Sequence, residues 1–254
     1  MSRVKKIKFG GYFVLHKIFV TQKISGTEII IANEEFKHIK ALRLNLHDKI
    51  VICNGKQKDY FCEIKTINDN NAVLSINYVQ DAQTEPIKKI ILFQALPKSD
   101  KFELVIQKAT ELGVNNIFPV ITDNCDIKKN PSDNKILRWK KIAKSAAEQS
   151  GRGIIPEISN IINFEQAIIS SKNFDLNLIA HEKSDISIKK FLDHDFKNKY
   201  SIGIFIGPEG GFSKQEVLLA QKNNIHPISL GKRILRTETA SIFILSAIIF
   251  QSEL

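Results

Sequence analysis

Two short segments near the C-terminus limit this chain more than any other feature. The first is Phe205-Ile206-Gly207-Pro208-Glu209-Gly210-Gly211-Phe212-Ser213; the second is Leu230-Gly231-Lys232-Arg233-Ile234-Leu235-Arg236-Thr237-Glu238-Thr239-Ala240. Each follows an apolar, strand-like run and leads into a helix-like run. Glycine at such a junction lets the backbone turn sharply and brings its N–H groups close to a ligand. In open α/β sheets, ligands sit beyond the C-terminal ends of the strands. The two turns therefore predict one binding site built from both.

The surrounding sequence agrees with an α/β fold. Strands are expected at Ile90–Ala95, Ile117–Val120, Leu176–Ala180, Ile202–Ile206 and Ile228–Leu230. A helix is expected from Asp100 to Leu112, with Asp100 and Glu103 spaced as a capping box and Gly113 at the C-terminal stop. An amphipathic helix follows at Lys135–Gln149, ended by Gly151. Ser213 with Glu216 reads as a capping box opening a helix over Lys214–Lys222. The last helix, Glu238–Phe250, is apolar on nearly all sides, which predicts burial in a core or a subunit interface. Alternating strands and helices mean a mostly parallel sheet.

The first 80 or so residues read differently. Tyr12–Val20, Thr27–Ala32, Lys49–Cys53, Tyr60–Ile67 and Ala72–Val79 are short runs rich in β-branched and aromatic residues, separated by turn formers such as Asn54-Gly55. One helix, Glu34–Leu42, is expected with Asn33 as its cap. Several short strands with one helix suggest a small barrel. The text turns polar around Asp81–Lys89 and contains Pro86, so the boundary is set there. The expected organisation is a basic N-terminal extension at 1–15, a barrel at 16–82 and an α/β domain at 83–254. The start carries Arg3, Lys5, Lys6 and Lys8, but its apolar part is short and broken by Gly10-Gly11, so a signal peptide is rejected.

The net charge of +10 favours a polyanionic partner, most simply nucleic acid. The three cysteines, Cys53, Cys62 and Cys125, show no CxxC spacing, which suggests reduced thiols in a cytosolic protein. The six histidines show no paired ligand spacing, so no metal site is expected. No run approaches the ~20 apolar residues of a membrane span. The dinucleotide fingerprint GxGxxG is absent. So is the phosphate loop, because Gly231-Lys232 is followed by Arg233 instead of Ser or Thr. Taken singly, Gly207–Gly211 could be only a tight turn and Thr237 only a helix cap.

These segments carry a resemblance. They are similar to the signature loops of the SPOUT methyltransferases, and specifically to the RsmE type, the bacterial family that methylates N3 of a uridine in small-subunit (16S) ribosomal RNA. Ala95-Leu96-Pro97-Lys98 through Gln107–Val114 resembles that family, as do Ala146–Arg152 and Phe36-Lys37-His38-Ile39 to Ala41-Leu42-Arg43. The resemblance runs from about His16 to the end. It implies a PUA-like RNA-binding barrel followed by a domain whose trefoil knot cradles S-adenosylmethionine, working as a cytoplasmic homodimer. It departs from the family at the start, where His16-Lys17 stands in place of an arginine before the first strand.

On that resemblance, Ile206, Leu230, Ile234 and Leu235 are expected to wall the adenine slot. Gly207, Glu209, Gly210, Gly231, Thr237 and Ala240 are expected to complete cofactor binding. A uridine N3 proton must leave, so a base or a stabiliser of the deprotonated ring is required. Arg236 could stabilise charge on the uracil oxygens or hold a phosphate, and Glu238 could accept a proton or orient Arg236. His38, Arg43, Lys98, Lys101, Lys108 and Arg152 are the expected RNA contacts. Each lysine could equally be part of a solvated helix face, and His38 could be structural. Two other readings compete. One is a non-catalytic RNA-binding or ribosome-assembly protein, which the intact Arg236-Thr237-Glu238 argues against. The other is a SPOUT enzyme modifying a different RNA nucleotide.

Overall fold

A computed structural model describes residues 8–9, 12–13, 16–98, 100–126, 132–194 and 196–253. The basic residues Arg3, Lys5 and Lys6 lie outside the described residues. The chain divides into two compact units. The first holds residues up to Glu85 together with Ala147–Ile155; the second holds Pro86–Ala146 and Pro156–Leu254.

In the first unit, β1 (Lys8–Phe9) and β2 (Tyr12–Phe13) form a small antiparallel ladder. The strand expected over Tyr12–Val20 is thus two pieces, β2 and β3 (Lys17–Phe19). Then come β4 (Glu28–Ala32), helix α1 (Asn33–Ala41), β5 (Lys49–Cys53), β6 (Lys58–Ile67) and β7 (Asn71–Asp81). Five of these strands make one sheet in the order β3-β5-β6-β7-β4. All its pairs are antiparallel except β3 with β5. Alternate residues of β4 are buried, as a half-buried strand requires: Ile29 and Ile31 point inward and Ile30 stays out. They meet Ile18, Phe36, Ile39, Ile50, Ile52, Ile64 and Leu74 in a single core. Asn33 does not cap α1. It is the first helical residue, with φ +53°, and no side chain caps this helix.

The segment Ala147–Ile155 is tied to this sheet by buried charge. Lys17 Nζ donates to Asp59 Oδ2 at 2.7 Å and to the carbonyl of Gly151 at 2.8 Å. Arg152 Nη2 donates to Glu85 Oε2 at 2.6 Å, and Glu85 Oε1 also accepts from the Gly153 N–H.

The second unit carries β8 (Lys89–Ala95), α2 (Lys101–Glu111), β9 (Asn116–Ile121), α3 (Asp133–Ser150), β10 (Glu157–Ile158) and β11 (Ile162–Asn163). These are followed by α4 (Phe164–Ser171), β12 (Leu176–Ala180), α5 (Ile188–His194), β13 (Ser201–Ile206), α6 (Lys214–Lys222), β14 (Ile225–Ile228) and α7 (Thr237–Glu253). The strand order is β10-β9-β8-β13-β12-β14, with β11 also on β9, and every pair is parallel. The chain leaves β8 toward β9 but later returns to place β13 on the other side of β8. Such a reversal opens a crevice at the C-terminal ends of the strands.

Strands buried on both faces read as continuous apolar runs, and all six residues of β13 are buried. On one face Phe205 stacks on Phe93 with ring centroids 4.3 Å apart, and Ile168, Phe212 and Val217 pack around them. The α7 helix packs against α2 and buries Ile244, Leu245 and Ile248. The Ser213–Glu216 capping box is present in both directions, whereas the Asp100 box is not. Glu103 instead accepts from Arg138 Nη2 at 2.8 Å. Gly113, at φ +84°, does stop α2, and a side chain there would run into Pro86.

Candidate active site

A cleft of about 690 Å³ lies at the C-terminal ends of the central strands of the second unit. It is bounded by Ile206–Gly211 after β13 and by Ser229–Thr237 after β14, with Ala240 from α7. The two glycine-bearing turns thus share one cavity, and the structure gathers Ile206, Gly207, Glu209, Gly210, Leu230, Gly231, Ile234, Leu235, Arg236, Thr237 and Ala240 around it.

A chain of buried hydrogen bonds joins the turns. Thr237 Oγ1 donates to the carbonyl of Gly207 at 2.6 Å and accepts from Gln94 Nε2 at 2.9 Å. Gln94 Oε1 in turn accepts from Ser241 Oγ. All three side chains are buried, so each polar atom needs such a partner. Thr237 therefore does more than open α7: it pins the start of that helix to the first glycine turn. Gln94 and Ser241 escaped the sequence reading, although a glutamine inside the apolar run Ile90–Ala95 is itself a signal.

Glycine is required at two points. A Cβ on Gly207 would lie 3.2 Å from both Cα and C of Gly211, tighter than ordinary contacts, and would push into the turn. Gly231 has φ +119°, a conformation other residues avoid.

Charge is concentrated on the β8 side of the cleft. Lys101, the first residue of α2, donates from Nζ to Glu209 Oε1 at 2.8 Å and stands 3.9 Å from Glu238 Oε2. Glu209 Oε1 also accepts from the Lys98 N–H at 3.2 Å. Desolvation works against ionising Glu209, but the hydrogen bonds from Lys101 and the backbone prevail and hold its pKa below the usual carboxylate value. Glu238 Oε2 is buried and has no hydrogen-bond partner among the described residues. Arg236 is exposed, and its guanidinium pairs with no carboxylate among the described residues. Glu238 thus faces Lys101, and no bond to Arg236 is made. Ile234 lines the cleft yet is 88% exposed.

The expected RNA contacts separate. Arg43 is exposed, and its φ of +54° turns the chain out of α1. His38 is partly exposed, with Nδ1 3.6 Å from Glu148 Oε2. Lys98 is exposed and pairs with Asp126, and Lys108 pairs with Glu111 one turn away on α2 at 2.9 Å. Lys101 belongs to the cleft. Arg152 requires a correction: its side chain is 2% exposed and engaged by Glu85, so it is a structural ion pair and offers no surface to RNA. A third strand exit, Ala180-His181-Glu182 after β12, also lines the cleft. The strand was expected at these residues, and the rule placing ligands at strand exits could have drawn attention to it.

Outside the cleft lining, a buried carboxylate ties two neighbouring loops together. Burial raises the pKa of Glu216, partly countered by the N–H groups of Asp123 and Ser213 that its carboxylate accepts from at 3.0 and 2.8 Å. These bonds fix the loop after β9 to the start of α6.

Comparison with known proteins agrees with this geometry. Residues 83–249 match the RNA methyltransferase domain model, and residues 31–77 match the RNA methyltransferase PUA domain model. The chain is 34% identical to ribosomal RNA small subunit methyltransferase E of Mesomycoplasma hyopneumoniae, covering 91% of this chain and 98% of that protein. The chain belongs to this methyltransferase family. The family member from Bacillus subtilis is 35% identical over 88% of this chain and 90% of its own. A family structure from Neisseria gonorrhoeae, bound to S-adenosyl methionine, superposes with a TM-score of 0.84 at 28% identity, covering 92% of this chain and 97% of that one. A Legionella pneumophila protein in complex with SAM gives 0.83 at 30% identity, with the same coverage.

Proposed function

We propose that this protein transfers a methyl group from S-adenosylmethionine to N3 of a uridine in small-subunit (16S) ribosomal RNA. The observation that carries the reading is the single cleft bounded by two glycine turns and pinned by Thr237 to Gly207. The names of the family members and the cofactor bound in two structural relatives support it.

The residues present suit that cofactor. Ile206, Leu230 and Leu235 offer apolar walls, and backbone near Gly207, Gly231 and Ala240 can edge the adenine. The cofactor supplies a methyl group already activated on a sulfonium, so the protein's task is alignment and electrostatics. Glu238 Oε2, unpartnered beside Lys101, suits acceptance of the uridine N3 proton. The free guanidinium of Arg236 suits negative charge developing on the uracil oxygens, an interaction strongest in the transition state.

RNA is held by charge, through His38 and Arg43 in the first unit and Lys98 and Lys108 in the second. The exposed Leu104 on α2 and Phe243 and Phe250 on α7 form the surface for a second copy in a homodimer. Among the described residues no helix is long and apolar enough to cross a membrane, and no cluster of metal-ligating residues occurs. A ribosomal RNA substrate makes the cytoplasm the place for this reaction. Mass spectrometry of rRNA nucleosides from a deletion strain tests the reading. Loss of 3-methyluridine, restored by this chain and not by Arg236→Ala, is expected; an unchanged nucleoside profile rejects it.

A further inference from the structure

The cleft has two polar ends on opposite sides of β13, because the sheet runs β8-β13-β12. On the β8 side, Lys101 and Glu209 satisfy each other. On the β12 side, His181 and Glu182 do not. His181 Nδ1 is buried without a hydrogen-bond partner among the described residues, 3.6 Å from Glu182 Oε2. No lysine or arginine among the described residues pairs with Glu182. Its Oε2 lies 3.6 Å from the point a Cβ would occupy on Gly211, so the carboxylate hangs over the first glycine turn.

Buried polar atoms rarely lack a partner. Here one stands beside an uncommitted carboxylate in a cleft whose adjoining walls, Ala180 and Ile206, are apolar. We propose that Glu182, assisted by His181, is the subsite for the vicinal ribose hydroxyls of the bound nucleoside. This rests on the reading that the cleft takes S-adenosylmethionine. The reacting sulfonium must lie near Arg236 and Glu238, and Glu238 is on the Lys101 side. The nucleoside end is then directed toward β12. A ribose offers two adjacent O–H donors, which match the two oxygens of one carboxylate, and the imidazole supplies a further hydrogen-bonding atom. An acidic residue plays the same part for ribose in dinucleotide-binding folds.

Calorimetry with the full-length protein tests this, using S-adenosylhomocysteine and its 2′-deoxy and 3′-deoxy analogues as probes. The wild-type chain is expected to bind at least one deoxy analogue roughly ten- to hundredfold more weakly than the parent, as suits a hydrogen bond to a charged group. Glu182→Gln should lose a similar factor for the parent and discriminate less between parent and analogue. His181→Ala should lose less. Equal affinity of the wild-type chain for parent and both analogues overturns the subsite without any variant. So does full discrimination retained by a Glu182→Gln protein whose melting curve is unchanged. Failure of the wild-type chain to bind S-adenosylhomocysteine at all would overturn the cofactor reading, and the subsite with it.

Discussion

The two ends of the parallel sheet differ in how many of their charged groups are spent on the chain itself. At the N-terminal end, Asp175, just before β12, accepts from the N–H of Tyr200 at 3.0 Å, the N–H of Ser201 at 2.8 Å and Ser201 Oγ at 2.9 Å. Lys88, just before β8, donates to the carbonyls of Phe196, Lys197 and Lys199 at 2.8, 3.2 and 2.7 Å. Both charges are spent on closing loops. At the C-terminal end Lys101 and Glu209 pair, but among the described residues Arg236 pairs with no carboxylate, Glu238 Oε2 accepts no hydrogen bond and Glu182 pairs with no lysine or arginine. The same strands supply both ends, so the fold does not dictate the difference. It lies in which loop residues find full hydrogen-bond partners within the chain, and the working end holds several that do not.

The largest expected effect is at the working end. Gly207→Val forces a Cβ to within 3.2 Å of the Gly211 backbone and fills the approach to the turn. Affinity for S-adenosylhomocysteine should fall more than about a hundredfold, equivalent to ~2.7 kcal/mol. Calorimetry showing wild-type affinity in a folded variant would remove the cofactor from this cleft.

Arg236→Ala comes next. Turnover should drop on the order of a hundredfold, with the melting temperature and cofactor affinity held, because the lost interaction acts in the transition state. Lys at this position should restore only part, lacking the planar fork. Single-turnover methylation beside a melting curve decides it; an early-melting variant would move Arg236 from chemistry to structure.

Gln94→Leu breaks the buried chain beneath the turns and leaves Thr237 and Ser241 short of partners. The cost should be about 1–3 kcal/mol in urea unfolding, together with weaker cofactor binding because Thr237, which braces the Gly207 turn, is itself held less firmly. Stability loss with full cofactor affinity would show that the chain serves packing alone.

Asp175→Asn tests the other end and should be the mildest. Melting should fall while cofactor affinity stays at the wild-type value. Hydrogen bonds from Ser201 hold the Asp175 pKa below its ordinary value. Its contribution is therefore present above the unfolded-state pKa and lost as pH falls through the folded one. Variant and wild type should accordingly converge in melting temperature toward acid pH. A gap that persists at low pH would trace the effect to shape instead of charge.

Local signals were legible in the sequence wherever local chemistry had no long-range competitor. The Ser213–Glu216 box and the Gly113 stop need only neighbours three or four residues away, and both formed. The similar Asp100–Glu103 pattern failed because Arg138, 35 residues downstream, claims Glu103. Arg152 looked like a surface cation because nothing local reveals Glu85, 67 residues upstream. The strand read at Ile228–Leu230 is actually Ile225–Ile228. Pro227 disguised it, yet β14 is the edge of the sheet, where a missing N–H is tolerated. Of the cleft, the two glycine turns could be read directly. That Lys101, His181 and Glu182 join them in one cleft follows only from the strand order, which brings their strand exits together.

The bond from Thr237 to Gly207 also has a consequence for biosynthesis. The turn after β13 emerges from the ribosome well before the residue that braces it, and Gln94 emerges earlier still, 143 positions ahead of Thr237. The pocket therefore stays unassembled until the start of α7 has been made and can fold back onto the turn. A chain truncated just before α7 would carry both glycine loops and still lack the brace that joins them.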